Sequence, residues 1–465
     1  MSETAATLDR QISWVSTDRE RPWVEMAAPR FAPSTGMPDV LLRTDRRHQT
    51  VEGFGVCFNE LGWRALSRLD DADRAEIFDE LFTPGRGPGF SVCRMPVGAN
   101  DFATDWYSYD EVEGDFALEH FTIEHDRSTL VPYIHEALRR RPDLKLWASP
   151  WSPPSWMKTN GHYAAALPWR GSDVDNGLRP DQVGVEGTDM MIQEPRYLET
   201  YAEYFSRFIE AYRAEGIEIS MVMPQNEFNS PQVFPSCTWT PEGLARFIAL
   251  LGPRMRELGV AVFFGTQERP APEHLAAVLA DPDAGAFVSG AGFQWAGKGA
   301  IADAHRIAPH LSLYQSEQEC GDGRNDWRFA RYTWSLMKRF FEAGANAYTY
   351  WNLALDEGGV SRWGWAQNSL VVVDPETNAF RYTHEFFVMK HLAHHVQAGA
   401  TRIDAFSWTG HENQLAFQNP DGSIVVVMQN DLADEMPVTI ALDGAAFDVV
   451  LPTDSFSTFL IAAGR

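Results

Sequence analysis

With 465 residues, 44% of them hydrophobic and 22% charged, the chain suits a large globular core, a barrel of about 250 residues or more plus an accessory domain. Its formal net charge of −25 argues against nucleic acid and anionic membrane as partners, since both would repel such a surface. No apolar run reaches the ~18 residues that a transmembrane helix needs, which argues against a membrane span.

Residues 1–10 carry neither the basic region nor the apolar run of a secretory signal. The expected location is therefore cytoplasmic, with secretion open if a signal was trimmed. Residues 1–30 show little periodicity and are expected to form a loosely attached arm. Residues 40–44, Val-Leu-Leu-Arg-Thr, read as a strand outside the barrel. Residues 1–50 are thus read as an arm plus a strand that joins an accessory β-sandwich.

The segment 49–60 is an apolar run with Gly53 and Gly55 and a polar tail, Asn59-Glu60. It is read as the first barrel strand. Further apolar runs with polar ends follow at 90–96, 144–149, 219–224, 260–265, 287–294, 311–316 and 345–351. Helical patterns fit between them, for example at 72–82, 130–139 and 241–258. Another is the stripe Leu198, Tyr201, Phe205, Phe208, Ile209 and Tyr212, which stops before Gly216. Eight strands alternating with helices predict an α/β fold, a closed (β/α)8 TIM barrel over 51–395. Residues 162–195, rich in Gly, Asp and Pro, form a long insertion after the third strand, read as a rim or lid or else a plain loop. Near Ala398-Gly399-Ala400 the character changes. Short β-rich runs at 414–418, 423–429, 436–442 and 455–461 predict an antiparallel β-sandwich over 396–465, completed by the strand near residue 40.

In such a barrel the polar ends of the strands are the catalytic ends. The fourth strand runs into Gln225-Asn226-Glu227, which makes Glu227 the first candidate for chemistry, with Asn226 beside it. On its own such a pair is more often a helix cap or a solvated loop. The seventh strand runs into Ser316-Glu317-Gln318-Glu319. A period of two puts Glu317 and Glu319 on one side, so spacing does not choose between them. In and just after the third strand, Trp147, Pro150, Trp151, Pro153, Pro154 and Trp156 crowd a strand end. Prolines fix a backbone, and indoles stack on the C–H faces of sugars. Two carboxyl groups facing across a barrel mouth suit glycoside hydrolysis, one neutral as a proton donor and the other ionised.

Several motifs in this order resemble glycoside hydrolase family 30, the group that includes glucosylceramidases. They are Val51-Glu52-Gly53-Phe54-Gly55, Arg94-Met95-Pro96 with Asp101-Phe102, Ala148-Ser149-Pro150-Trp151 through Lys158-Thr159-Asn160-Gly161, Gln225-Asn226-Glu227, Ser316-Glu317 and Trp351-Asn352-Leu353-Ala354-Leu355. The resemblance spans roughly residues 48–400. It implies a (β/α)8 barrel with a sandwich built from both termini, and retaining hydrolysis of a β-linked sugar; long loops that would close one side of a groove add the expectation of exo action on a glucoside, fucoside or xyloside. An endo-β-1,6-glucanase of the same family and an inactive carbohydrate-binding barrel are the alternatives. It puts the acid/base on Glu227 and the nucleophile on Glu317, because the family's glutamate follows a Ser or Thr. By the same match Arg94 orients the nucleophile, Asp101 and Trp151 hold the sugar, Asn226 bonds its 2-hydroxyl, and Trp351 forms part of the platform.

The sequence departs from glucosylceramidases at Gln294-Trp295, at Trp106-Tyr107-Ser108-Tyr109 and at Arg362-Trp363-Gly364-Trp365, where sugar and aglycone would be read. Gln294 and Trp295 are therefore expected to touch substrate. No cofactor and no metal are expected, since neither H-x-H nor H-E-x-x-H occurs. His391, His394 and His395 read as a solvated helix end. The cysteines, Cys57, Cys93, Cys237 and Cys320, have no C-x-x-C spacing and read as reduced, mostly buried thiols. The expected partner is a carbohydrate substrate, with no nucleic acid, no membrane span and the oligomeric state open.

Overall fold

The computed structural model describes residues 3–464. Eight parallel strands close into a barrel. They are Gly53–Cys57, Val92–Pro96, Lys145–Ser149, Ile219–Val222, Ala261–Gln267, Val288–Gln294, Ser312–Glu317 and Ala347–Asn352. The eighth strand closes the ring by pairing with the first, Ala347 beside Gly53 and Tyr348 beside Phe54. Seven of them end within two residues of the apolar runs in the sequence; the first is shorter than its run of 49–60, since residues 49 and 50 belong to the sandwich strand Val40–Thr50. Helices cover the outside, so most of these strands are buried on both faces and read as continuous rather than alternating apolar runs. Val92, Trp147, Met221, Met223, Phe263 and Tyr314 fill the interior as one cluster. The barrel is therefore a packed core that supports a site at its mouth. Gly55 sets the spacing of strands one and two, since a Cβ there would lie 1.6 Å from the Val92 carbonyl oxygen.

Helix Pro195–Ala214 buries the predicted stripe, and Gly216 follows with φ +78°, the left-handed conformation that ends helices. Helix Pro241–Leu258 opens with Thr240, whose hydroxyl accepts from the Gly243 N–H at 2.9 Å, and with a proline in its first turn. The two helices meet through stacked Tyr201 and Phe247, 5.0 Å apart.

The accessory domain is a ten-stranded, mostly antiparallel sheet. It folds over its own core, in which Ile12, Trp14, Val40, Ile440, Phe447 and Phe459 come together from distant strands. The expectation of a loose N-terminal arm is corrected here. Strand Ile12–Thr17 pairs along its whole length with Ser455–Ile461, and Trp14 stacks on Phe459 at 5.4 Å. The strand near residue 40 runs further than read, Val40–Thr50, and pairs with Thr401–Phe406. A small sheet of Ala354–Asp356, Val371–Val373 and Phe380–Tyr382 follows the eighth barrel strand.

The histidine reading is corrected as well. His391 is fully buried and joins the two domains, with Nδ1 2.8 Å from Thr458 Oγ1 and Nε2 2.8 Å from Thr17 Oγ1. Trp23 packs against His391, His394 and His395. Burial pushes His391 and His395 down to about 3, so both stay neutral in the fold. The four cysteines are free and buried. Among the described residues, no helix is long and apolar enough to cross a membrane.

Candidate active site

The site starts from Arg94 in the second barrel strand, which is wholly buried. Its guanidinium lies among the rings of Trp147, Trp151 and Trp351, 4.4 to 5.3 Å from their centroids. Nε and Nη2 donate to Ser149 Oγ, Nη2 also to Asn226 Oδ1 at 2.7 Å, and Nη1 to the Ser316 carbonyl. Nη1 also donates to Glu317 Oε2 at 2.8 Å. Glu317 is the final residue of the seventh strand, and its other oxygen accepts from the Trp295 indole at 3.2 Å.

Glu227 lies past the end of the fourth strand, with φ +46°. A left-handed conformation costs a glutamate about 1–2 kcal/mol, and the surroundings hold it there. The Glu227 N–H donates to Thr266 Oγ1 at 2.9 Å, the Gln225 N–H to the Gly265 carbonyl, and the Gln225 side chain to the Trp151 carbonyl. These bonds tie the ends of strands three, four and five together. Strain held in this way at a cavity is a pointer to function. Gln294, at the end of the sixth strand, donates to Glu227 Oε1 at 3.1 Å and to Asn226 Oδ1, and accepts from Ser316 Oγ. Asn226 Oδ1 thereby accepts from Arg94, Thr266 and Gln294, which leaves its NH2 group for the cavity it lines.

That cavity holds about 270 Å3, and Asp101, Trp151, Asn226, Glu227, Trp295 and Glu317 all line it. Seven side chains predicted from the sequence thus meet around one hollow, counting Arg94, which sits directly behind Glu317. Gln294 and Trp351 are also a layer back. Gln294 does not line the hollow itself but bonds to Asn226 and Glu227, which do, and Trp351 stacks under Trp151 at 5.2 Å. Glu319 turns away from the cavity, accepting from Lys298 and, at 2.5 Å, from Tyr332. The strand stops at Glu317, so its period of two does not extend to Glu319.

Of the three aromatic departures, one turns out differently. Tyr107 and Tyr109 are not at the cavity. With Tyr212 they donate to Asp126 in a buried cluster. Trp365 does line the cavity. It stacks on Trp169 of the long insertion at 5.7 Å, and Trp363 donates to Tyr163 of the same segment. Arg269 is fixed by Glu186, also in the insertion, at 2.9 and 3.2 Å. The insertion is therefore a braced rim. Its many glycines and prolines, read alone, equally suit an unattached loop.

The remaining lining residues went unread: Ser230, Gln232, Phe234, Glu268, Arg269 and Gln367 among them. Glu268 directly follows the fifth strand. The rule that singles out Glu227, a carboxylate past an apolar run, would have found it.

Electrostatics separates the two central carboxyl groups. Burial first, and the Glu317 charge second, push Glu227 up to about 7. Burial also raises Glu317, but Arg94 and the Trp295 hydrogen bond pull against it. Only Glu317 touches a cation, so the charge rests on Glu317 and the proton on Glu227. Asp101 and Glu268 are likewise pushed well above the usual carboxylate range, chiefly by burial. Among the described residues, no group of three His, Cys, Asp or Glu side chains is placed to hold a metal ion.

A parallel eight-stranded barrel with a neutral and a charged carboxyl in one cavity at its strand ends, carrying a β-sandwich, is the constitution of a glycoside hydrolase. The chain belongs to glycosyl hydrolase family 30. The family's TIM-barrel domain matches residues 51–396, and its β-sandwich domain matches residues 399–459. It is 27% identical to the lysosomal acid glucosylceramidase of Mus musculus over 90% of this chain and 82% of that protein. It is 25% identical to an endo-1,6-β-D-glucanase of Neurospora crassa over 90% of this chain and 86% of that one. In fold it is similar to the crystal structure of SrfJ from Salmonella typhimurium, with a TM-score of 0.86 at 22% identity, covering 97% of this chain and 99% of that chain.

Proposed function

We propose that this glycosidase is a retaining, exo-acting β-glucosidase, with Glu227 as acid/base and Glu317 as nucleophile. The observation that carries the reading is the asymmetry of the pair. Glu317 is hydrogen-bonded to Arg94 at 2.8 Å, whereas Glu227 has only amide partners and is pushed up to about 7. A nucleophile must be charged and a proton donor must not.

In the first step Glu317 attacks the anomeric carbon while Glu227 protonates the departing glycosidic oxygen. The product is a glycosyl ester on Glu317 and a free alcohol. In the second step Glu227, now ionised, takes a proton from water, which attacks the same carbon and frees Glu317. Two inversions leave the configuration unchanged. Arg94 keeps Glu317 charged before attack and as it leaves. Asn226, its oxygen fully engaged, turns its NH2 group toward the sugar's 2-hydroxyl. Asp101, with one oxygen buried and unpartnered, receives a further hydroxyl, and Trp151 supplies the stacking face.

Two relatives named for glucosidic substrates support glucose over fucose or xylose as the bound sugar. A small cavity braced on one side by Trp365 and Trp169 supports cleavage from a chain end. The test is a panel of 4-nitrophenyl β-glycosides of glucose, xylose, fucose, galactose and glucuronic acid. The hydrolysis of the best substrate is followed by NMR for the first-formed anomer. The β-anomer of glucose is the expected first product, and an α-anomer would overturn the mechanism. Shortening of β-1,6-linked glucan with no glucose released would overturn exo action.

A further inference from the structure

Two cavity-lining carboxyl groups have buried oxygens without a hydrogen-bond partner, Asp101 through Oδ1 and Glu268 through both oxygens. The proposed reaction uses Asp101 and leaves Glu268 idle. The Arg269 guanidinium lies 3.4 Å from Glu268 but outside hydrogen-bond geometry, being held by Glu186. Folded proteins rarely leave a buried polar group unsatisfied, and an empty binding site is one place where they do.

Position decides which part of a ligand Glu268 would meet. Asp101 follows the second strand and feels Glu317 before Glu227. Glu268 follows the fifth strand, beside the fourth, which leads to Glu227. The ionisable groups that act on it are Glu227, Arg269 and Glu186. Gln232, whose amide nitrogen is 3.4 Å from Glu227 Oε2, lines the same side. An acid must lie next to the oxygen that departs, so what borders Glu227 on the side away from Glu317 borders the leaving group. A carboxyl group offers acceptor oxygens and, when protonated, one O–H donor beside them. A pair of sugar hydroxyls accepts and donates in the same way, whereas an alkyl chain or an unsubstituted ring does neither.

We propose that Glu268, with Arg269 and Gln232, forms a leaving-group subsite that takes the hydroxyls of a second sugar and so selects glycan substrates over alkyl and aryl glycosides. The assignment rests on Glu227 being the acid, and it adds the class of aglycone. A site built to bond a hydroxyl discriminates strongly against a ligand that lacks it.

The test compares two substrates with the same glycone. One is 4-nitrophenyl β-glucoside, and the other is the fastest of the β-1,3-, β-1,4- and β-1,6-linked glucose disaccharides. The readout is the ratio of kcat/KM for the disaccharide to kcat/KM for the aryl glucoside. In Glu268→Leu the ratio should fall at least tenfold. In Glu268→Gln, which keeps a donor and an acceptor, it should stay within about threefold of the parent. Glu268→Met replaces the leucine variant if circular dichroism finds the latter unfolded. A ratio unchanged within twofold in the apolar variant overturns the subsite. So does a parent enzyme that cleaves the aryl glucoside and leaves every disaccharide intact. A parent that cleaves no glycoside at all overturns the glucosidase reading and this subsite with it, so the two failures are told apart.

Discussion

Arg94 meets Glu317 at 2.8 Å with every one of its N–H groups engaged, on Ser149, Asn226, the Ser316 carbonyl and Glu317 itself. Nothing in that arrangement can rotate without losing bonds, so the carboxylate is held at a fixed position under the cavity. Lysine would keep the charge and lose the fork. Arg94→Lys should lower kcat/KM about 10²–10³-fold. Because Arg94 opposes the rise of Glu317, its replacement should move the acid limb of the pH–rate profile to higher pH. A fall in rate with an unmoved acid limb would mean that Arg94 only supports packing.

Glu227, pushed up to about 7, must carry its proton into the first step. Activity should therefore fall as pH rises through about 7, and Glu227→Gln should abolish that basic limb. Removal of the acid should cost about 10²–10⁴-fold on natural substrate. On an activated aryl glycoside, azide should rescue Glu227→Ala to give the β-glycosyl azide, with retained configuration. From Glu317→Ala, where azide takes the place of the missing nucleophile in a single displacement, the product should instead be the inverted α-glycosyl azide. An inverted azide from the Glu227 variant would exchange the two roles.

The catalytic end of the barrel was largely legible because strand ends announce themselves. An apolar run that stops at Glu227 or Glu317 needs no tertiary information to be noticed. Two things lay beyond local pattern. The choice between Glu317 and Glu319 depends on where the strand stops and on the partners, Lys298 and Tyr332, that hold Glu319 away from the cavity. The strand Ile12–Thr17 is short and weakly alternating, and its partner lies some 440 residues away. Only pairing at that distance makes it a strand.

That strand yields an expected outcome of its own. Trp14 stacks on Phe459 inside the sandwich core, so Trp14→Ala should cost about 3–5 kcal/mol. Urea denaturation would read this as a lower midpoint. A loosely attached arm would leave the midpoint unmoved.

Glu385 sets a pH dependence of stability away from the site. It is buried, accepts from Tyr350 at 2.9 Å and Asn368 at 3.0 Å, and burial pushes it up to about 8 from an ordinary 4.5. Between those values the folded state keeps a proton that the unfolded state has lost. Stability should thus decline as pH rises across that window, by up to about 1.4 kcal/mol per pH unit from this group. Glu385→Gln, which mimics the neutral acid, should flatten that part of the curve of unfolding free energy against pH. An unchanged slope would mean that Glu385 is ionised in the fold.

The pairing of Ile12–Thr17 with Ser455–Ile461 also governs the order of events on the ribosome. The earlier strand emerges while its neighbour is still untranslated, and it must wait through synthesis of the whole barrel with its edge open. His391, which reaches both Thr17 and Thr458, can seat fully only when that late strand arrives. A nascent chain stalled before residue 455 should therefore hold a formed barrel beside an unfinished sandwich, the stage at which a chaperone has most to protect.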